Sequence, residues 1–196
     1  MRLFAAVLPP RAAVDELARA VEGLRALPGA DGLRWTSRAG WHLTLAFYGE
    51  VPEVLLPELY ERLARAALRG EPLGLRLAGA GRFGDRALWA GTEGVSPPGG
   101  SLERLAGAAS AAGRRSGIDV EEGRRFRAHL TLARASRGHL PPGGLAPYAA
   151  ALGGFLGEPW TAGELVLVRS LLPVSGVPGE QPRYETLSAW PLGRAD

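Results

Sequence analysis

His42-Leu43-Thr44-Leu45-Ala46 recurs letter for letter as His129-Leu130-Thr131-Leu132-Ala133, 87 positions further on. The chain holds 3 histidines and no cysteine, so two of its three imidazoles sit in matched local settings. An imidazole titrates near neutral pH; one neutral ring can take a proton while a second, protonated ring gives one. Hydroxyls beside them can donate to anionic oxygens. With no carboxylate cluster nearby, two imidazoles and two hydroxyls suit phosphoester chemistry. Histidines merely satisfied within their strands would explain one copy, but not the duplication. A zinc site would need a third ligand in register, which neither copy offers.

The spacing has a meaning on a strand, where residues i and i+2 share a face. His42 and Thr44 then point one way, with Trp41, Leu43 and Leu45 the other. His129 and Thr131 repeat this against Leu130 and Leu132. The leucines would pack on helices, and the polar pairs would line an open surface. Two similar lobes related by a pseudo-twofold would bring both pairs to one cleft.

The elements that must position them follow from periodicity and breakers. Arg2–Leu8 is an apolar run ended by Pro9-Pro10, a buried strand. Val14, Leu17, Val21, Leu24 and Leu27 step by three and four, a helix from Arg11 to Leu27 stopped by Pro28-Gly29. Extended pieces follow at Leu33–Trp35 and Trp41–Tyr48, then a helix from Pro57. Strands are expected at Leu73–Ala78, Ala87–Ala90, Arg127–Arg134, Glu164–Leu171 and Tyr184–Trp190. Helices are expected at Ser101–Arg115 and, shorter, at Leu145–Leu152. Ser136–Pro147 and Pro173–Pro182 read as Gly/Pro-rich loops. Direct strand-to-strand connections favour α+β with antiparallel pairing over a doubly wound sheet. The expected fold is thus α+β: two similar lobes of antiparallel sheet flanked by helices, a bilobal arrangement over residues 1–196, with a central cleft. Gly79-Ala-Gly-Arg-Phe-Gly84 spells G-x-G-x-x-G, but no helical pattern follows it. It reads as a strand end and turn rather than a dinucleotide site.

The chain's 196 residues are 46% hydrophobic and 22% charged, as in soluble globular proteins. Every one of its 23 cationic side chains is arginine, which explains a pI near 9.9 on a net charge of +3. Compositional bias accounts for much of this, since asparagine is missing too. A charge of +3 is too small for a histone-like binder and leaves room for a local arginine cluster. No apolar run is long enough to span a membrane, and MRLFAAVLPPR is too short for a secretory signal, so no membrane partner and a cytoplasmic location are expected.

At these residues the sequence resembles the 2H phosphoesterase superfamily, whose signature is two H-x-[ST]-x motifs. Within it, the chain is similar to the RNA 2′,3′-cyclic phosphodiesterase family, the LigT-like or 2′-5′ RNA ligase family. The resemblance takes in Arg34-Trp35 ahead of the first motif and Phe47-x-Gly49-Glu50-Val51 after it. It extends to Gly79-x-Gly81-x-Phe83, Arg86-x-Leu88-Trp89, Phe126-Arg127-x-His129 to Arg134, and the closing strands. Ala128 stands where the family commonly has proline before the second histidine, and Tyr48 where an aliphatic residue is common.

The resemblance implies metal-independent hydrolysis of a 2′,3′-cyclic phosphate on an RNA or nucleotide to a 2′-phosphate, with no cofactor; a monomer is expected. It makes His42 the proton donor, His129 the proton acceptor, and Thr44 and Thr131 phosphate contacts; the identical motifs do not themselves say which imidazole does which. Phe47 is a candidate for base stacking. Arg134, five residues after His129, falls on the opposite strand face if the strand stays regular, so phosphate contact and a plain strand-end arginine both stay open. His139 reads as a solvated bystander. The reverse reaction, 2′-5′ ligation, and a non-catalytic RNA-binding module are the alternative functions.

Overall fold

The computed structural model describes residues 1–96, 101–120, 126–136, 140–173 and 180–194. Strand β1 (Arg2–Val7) is followed by α1 (Arg11–Arg25), with Pro10 in extended conformation at the helix entry. The helix buries Ala13, Leu17, Ala18, Val21 and Leu24 and stops two residues short of the expected Leu27. A residue before proline is disfavoured in the α region, and Pro28 imposes that on Leu27; Gly29 then turns the chain at φ 81°. Next come β2 (Leu33–Trp35) and β3 (Leu43–Glu50), then α2 (Leu56–Leu68) with Pro57 in its first turn. The middle of the chain forms β4 (Leu73–Phe83), β5 (Ala87–Ser96) and α3 (Ser101–Arg115). The remainder is β6 (His129–Ala135), α4 (Ala146–Leu152), β7 (Trp160–Ala162), β8 (Glu164–Leu171) and β9 (Arg183–Pro191).

These strands form two antiparallel sheets, ordered β3-β1-β8-β9 and β2-β6-β5-β4-β7, so the fold is α+β. The first sheet joins the two ends of the chain: β1 lies between β3 and β8. Helices α2 and α3 pack on one face of this sheet, and α1 and α4 on the second sheet. One apolar core takes residues from both sheets, among them Leu3, Leu43, Leu88, Leu130, Leu132 and Leu167.

The G-x-G-x-x-G stretch is a strand end and turn, as expected, but β4 runs past the expected Ala78 to Phe83, and the turn falls at residues 84–86. Gly79, at φ 63°, absorbs the register shift between Leu77 and Ala80 that lets pairing with β5 continue. Strand β7 was not anticipated; its three residues carry too short a pattern, and its pairing with β4 is what makes it a strand.

Candidate active site

Each motif strand has one face on the core and one turned from it. Leu43 and Leu45, like Leu130 and Leu132, are buried, whereas His42, Thr44, His129 and Thr131 are half-buried. His42 follows a 3-10 turn at Arg38–Gly40 and immediately precedes β3; His129 opens β6. Both are tied to the backbone two residues upstream. His129 Nδ1 lies 2.7 Å from the Arg127 carbonyl, and a carbonyl can only accept, so Nδ1 carries the hydrogen and Nε2 is left free for chemistry. His42 has a backbone hydrogen bond with Gly40.

Each imidazole is also held by aromatic rings. Phe4 stacks on His42 at 4.5 Å, and Tyr184 meets it edge-on at 5.0 Å. Phe83 meets His129 edge-on at 4.9 Å, with Trp89 at 6.1 Å. Two glycines make this packing close. A Cβ on Gly40 would come within 3.1 Å of the Tyr184 ring, and one on Gly81 within 2.3 Å of the Trp89 ring. Gln181 ties the approach to β9 to the segment before His42, donating to the Trp35 carbonyl and accepting from the Ser37 amide at 2.8 Å.

Burial lowers the pKa of His42 to about 4; the Gly40 bond opposes the fall, and the charge of His129 adds to it. Burial also lowers His129, with the Arg127 bond opposing and the Arg134 and Arg127 charges adding. Both rings are therefore neutral in the free chain at neutral pH, and His42 lies within electrostatic reach of His129.

Arg134 is not on the opposite face. Strand β6 pairs Ala133 with Leu88 and Thr131 with Trp89, so Leu132 is an extra residue, a bulge that turns Arg134 to the side of His129 and Thr131. Its charge acts on both His129 and Tyr184, the latter in contact with His42. The first motif has the same device. Ala46 pairs with Ala5 and Thr44 with Ala6, so Leu45 bulges and Phe47, the counterpart of Arg134, joins the face of Thr44. Phe47 is 45% exposed, with the Arg2 guanidinium 4.8 Å above its ring.

Trp41 is buried in the core, and Trp35 is engaged by the Arg25 guanidinium 5.3 Å over its ring and by Tyr148 edge-on at 6.3 Å. His139 lies outside the described residues. Sequence reasoning missed Phe4, Tyr184 and Arg34 as site residues. Arg34 pairs directly with Arg134 and shares its face. The available signal was the pair of adjacent buried residues after each H-x-T, Leu45-Ala46 and Leu132-Ala133, which breaks the alternation where the bulge falls. Among the described residues no group of three His, Cys, Asp or Glu is placed to hold a metal ion.

Each of the two antiparallel sheets thus carries an H-x-T strand, the arrangement that the resemblance to two-histidine phosphoesterases implies. The family model for LigT like Phosphoesterase matches residues 7–89. An RNA 2′,3′-cyclic phosphodiesterase of Archaeoglobus fulgidus is 30% identical over 141 residues, 70% of this chain and 74% of that protein. One of Geobacillus stearothermophilus is 32% identical over 164 residues, 81% of this chain; the match spans only 47% of that longer protein. The crystal structure of E. coli LigT complexed with 3′-AMP superposes with a TM-score of 0.74 at 27% identity, covering 98% of each chain. The chain belongs to the LigT-like phosphoesterases, the 2H phosphoesterase family.

Proposed function

We propose that the chain, working as one bilobal unit, hydrolyses the 2′,3′-cyclic phosphate of an RNA or nucleotide end to a 2′-phosphate. The observation that carries this is the pair of matched H-x-T strands with imidazoles in one electrostatic neighbourhood. His129 Nε2 takes a proton from water as the water oxygen bonds to phosphorus. The bond from phosphorus to the 3′ oxygen breaks, and protonated His42 gives that oxygen its proton. Thr44 and Thr131 donate to the non-bridging oxygens, with Arg134 adding positive charge. His42 needs its proton despite a pKa of about 4 in the free chain; the phosphate anion beside it supplies the opposite charge that raises it. Phe47 offers a ring face for a base. No step calls for a metal, and activity lost in a chelator and restored by a divalent ion would count against the mechanism.

The direct test is turnover of a 2′,3′-cyclic nucleotide. His42→Ala and His129→Ala should each lose roughly 10²–10⁴-fold. The double variant should lose far less than the product, because the two groups act in one step. Near-normal rates in both single variants would refute the site. Incubation with cyclic-phosphate-ended and 5′-hydroxyl RNA halves separates hydrolysis from ligation; hydrolysis should dominate in dilute solution.

A further inference from the structure

A cavity of about 290 Å³ lies between α2 and α3, the helices on the opposite side of the first sheet from the His42 face. Arg62, Arg65 and Arg69 line it from α2 and its C-terminal end, at the i, i+3, i+7 spacing that shares one helix face. Arg104 and Arg115 line it from α3, eleven residues and so roughly 16 Å apart along the helix. Its floor is small: Ala66, Ala108, Ala111 and Ala112 leave the volume open.

Compositional bias toward arginine does not explain this lining. Five of the 14 lining residues are arginine, against at most 23 in 196 for the chain, a roughly threefold enrichment, while the only acid in the wall is Glu71. Three guanidinia are partly neutralised. Arg62 pairs with Glu58 at 2.6 Å, Arg65 with Glu61 at 2.5 Å, and Arg104 with Glu71 at 3.5 Å. Arg69 and Arg115 have no carboxylate partner among the described residues, and both are exposed. Like charges facing one another across a groove repel, and a bound polyanion relieves that repulsion while each guanidinium fork can grip a phosphate with two hydrogen bonds. Cations spread over both walls and three helical turns suit an anion with several linked charges better than a single carboxylate.

We propose that this inter-helix groove is a second anion site, separate from the histidine cleft, that takes linked phosphate groups. Two sources share that chemistry: the backbone of an RNA strand and the polyphosphate tail of a free nucleoside triphosphate. The site does not depend on the catalytic reading.

The test measures binding by the full chain of ATP and, separately, of a single-stranded RNA of about a dozen nucleotides ending in a 3′-hydroxyl. The double variant Arg69→Gln/Arg115→Gln should weaken the true ligand about tenfold or more. If that ligand is RNA, it should also lower the salt dependence by about 0.7 per arginine removed. Its circular dichroism and its turnover of a cyclic mononucleotide should match the unaltered chain, which separates this site from the cleft. Loss of RNA binding alone assigns the groove to RNA, and loss of ATP binding alone assigns it to free nucleotides. Binding of both probes left unchanged by the double variant, or no binding of either at low salt, overturns the proposal.

Discussion

At the scale of single residues, the chemistry is set by how the imidazoles are buried. Both titrate below their ordinary 6.5, so in the free chain His129, the proposed base, is neutral at pH 7, while protonated His42, the proposed acid, becomes more abundant as pH falls toward 4. The kcat/KM profile, which reports the free enzyme, should therefore be a bell centred on the acid side of 6.5. The kcat profile should sit higher, because bound phosphate favours the imidazolium. A kcat/KM bell centred above 6.5 would contradict the burial argument. Folding carries the same signature. A histidine whose folded pKa is lowered gives stability that is intact above 6.5 and lost as pH falls toward 4, since only the unfolded chain takes up the proton. Thermal unfolding followed across that window should show the decline, and His42→Ala should make it shallower.

At the scale of elements, bulges and glycines decide where those residues stand. Gly81 matters because the Trp89 ring occupies the space a side chain would need, and Trp89 packs toward His129. Gly81→Ala should push the indole aside, displace the imidazole and cut turnover about tenfold or more, with the fold retained by circular dichroism. Two glycines of α3 give opposite predictions from one rule. Gly107 has open space around it, so Gly107→Ala should stabilise by about 0.5–1 kcal/mol through helix propensity alone. Gly113 would set a Cβ 2.6 Å from the ring of Tyr48, whose hydroxyl donates to the Ala109 carbonyl at 2.9 Å. Gly113→Ala should therefore destabilise by about 1–3 kcal/mol, read from denaturant midpoints.

At the scale of the whole molecule, the two motif strands belong to different sheets, yet one apolar core includes side chains of both. Strand β1 further commits the first sheet to both chain ends, between β3 and β8. The two sheets should thus lose their structure together. A single denaturant transition is expected, with near- and far-ultraviolet circular dichroism coinciding, and two separated transitions would show independent lobes.

Much of this was legible in the sequence because its signals are local. The leucines of H-L-T-L alternate with the polar pair, α1 and α3 show a 3.6-residue stripe, and Pro9-Pro10 and Pro28-Gly29 mark ends that the structure keeps to within a few residues. The duplicated pentapeptide pointed to two matched strands, and the structure has one in each sheet. The side taken by Arg134 and Phe47 was decided by tertiary structure. A strand's period of two predicts the face of residue i+5 only while pairing stays in register, and the extra residues Leu45 and Leu132 arise from pairing with β1 and β5. The aromatic brackets around the imidazoles were decided there too. Phe4, Tyr184, Phe83 and Trp89 come from four strands; β1 and β5 lie beside the motif strands, whereas β4 and β9 lie further along each sheet, and all four rings meet His42 or His129 only through long-range packing. Burial of the imidazoles, and so the pKa on which the proposed acid and base catalysis depends, follows from that long-range packing, which no local pattern encodes.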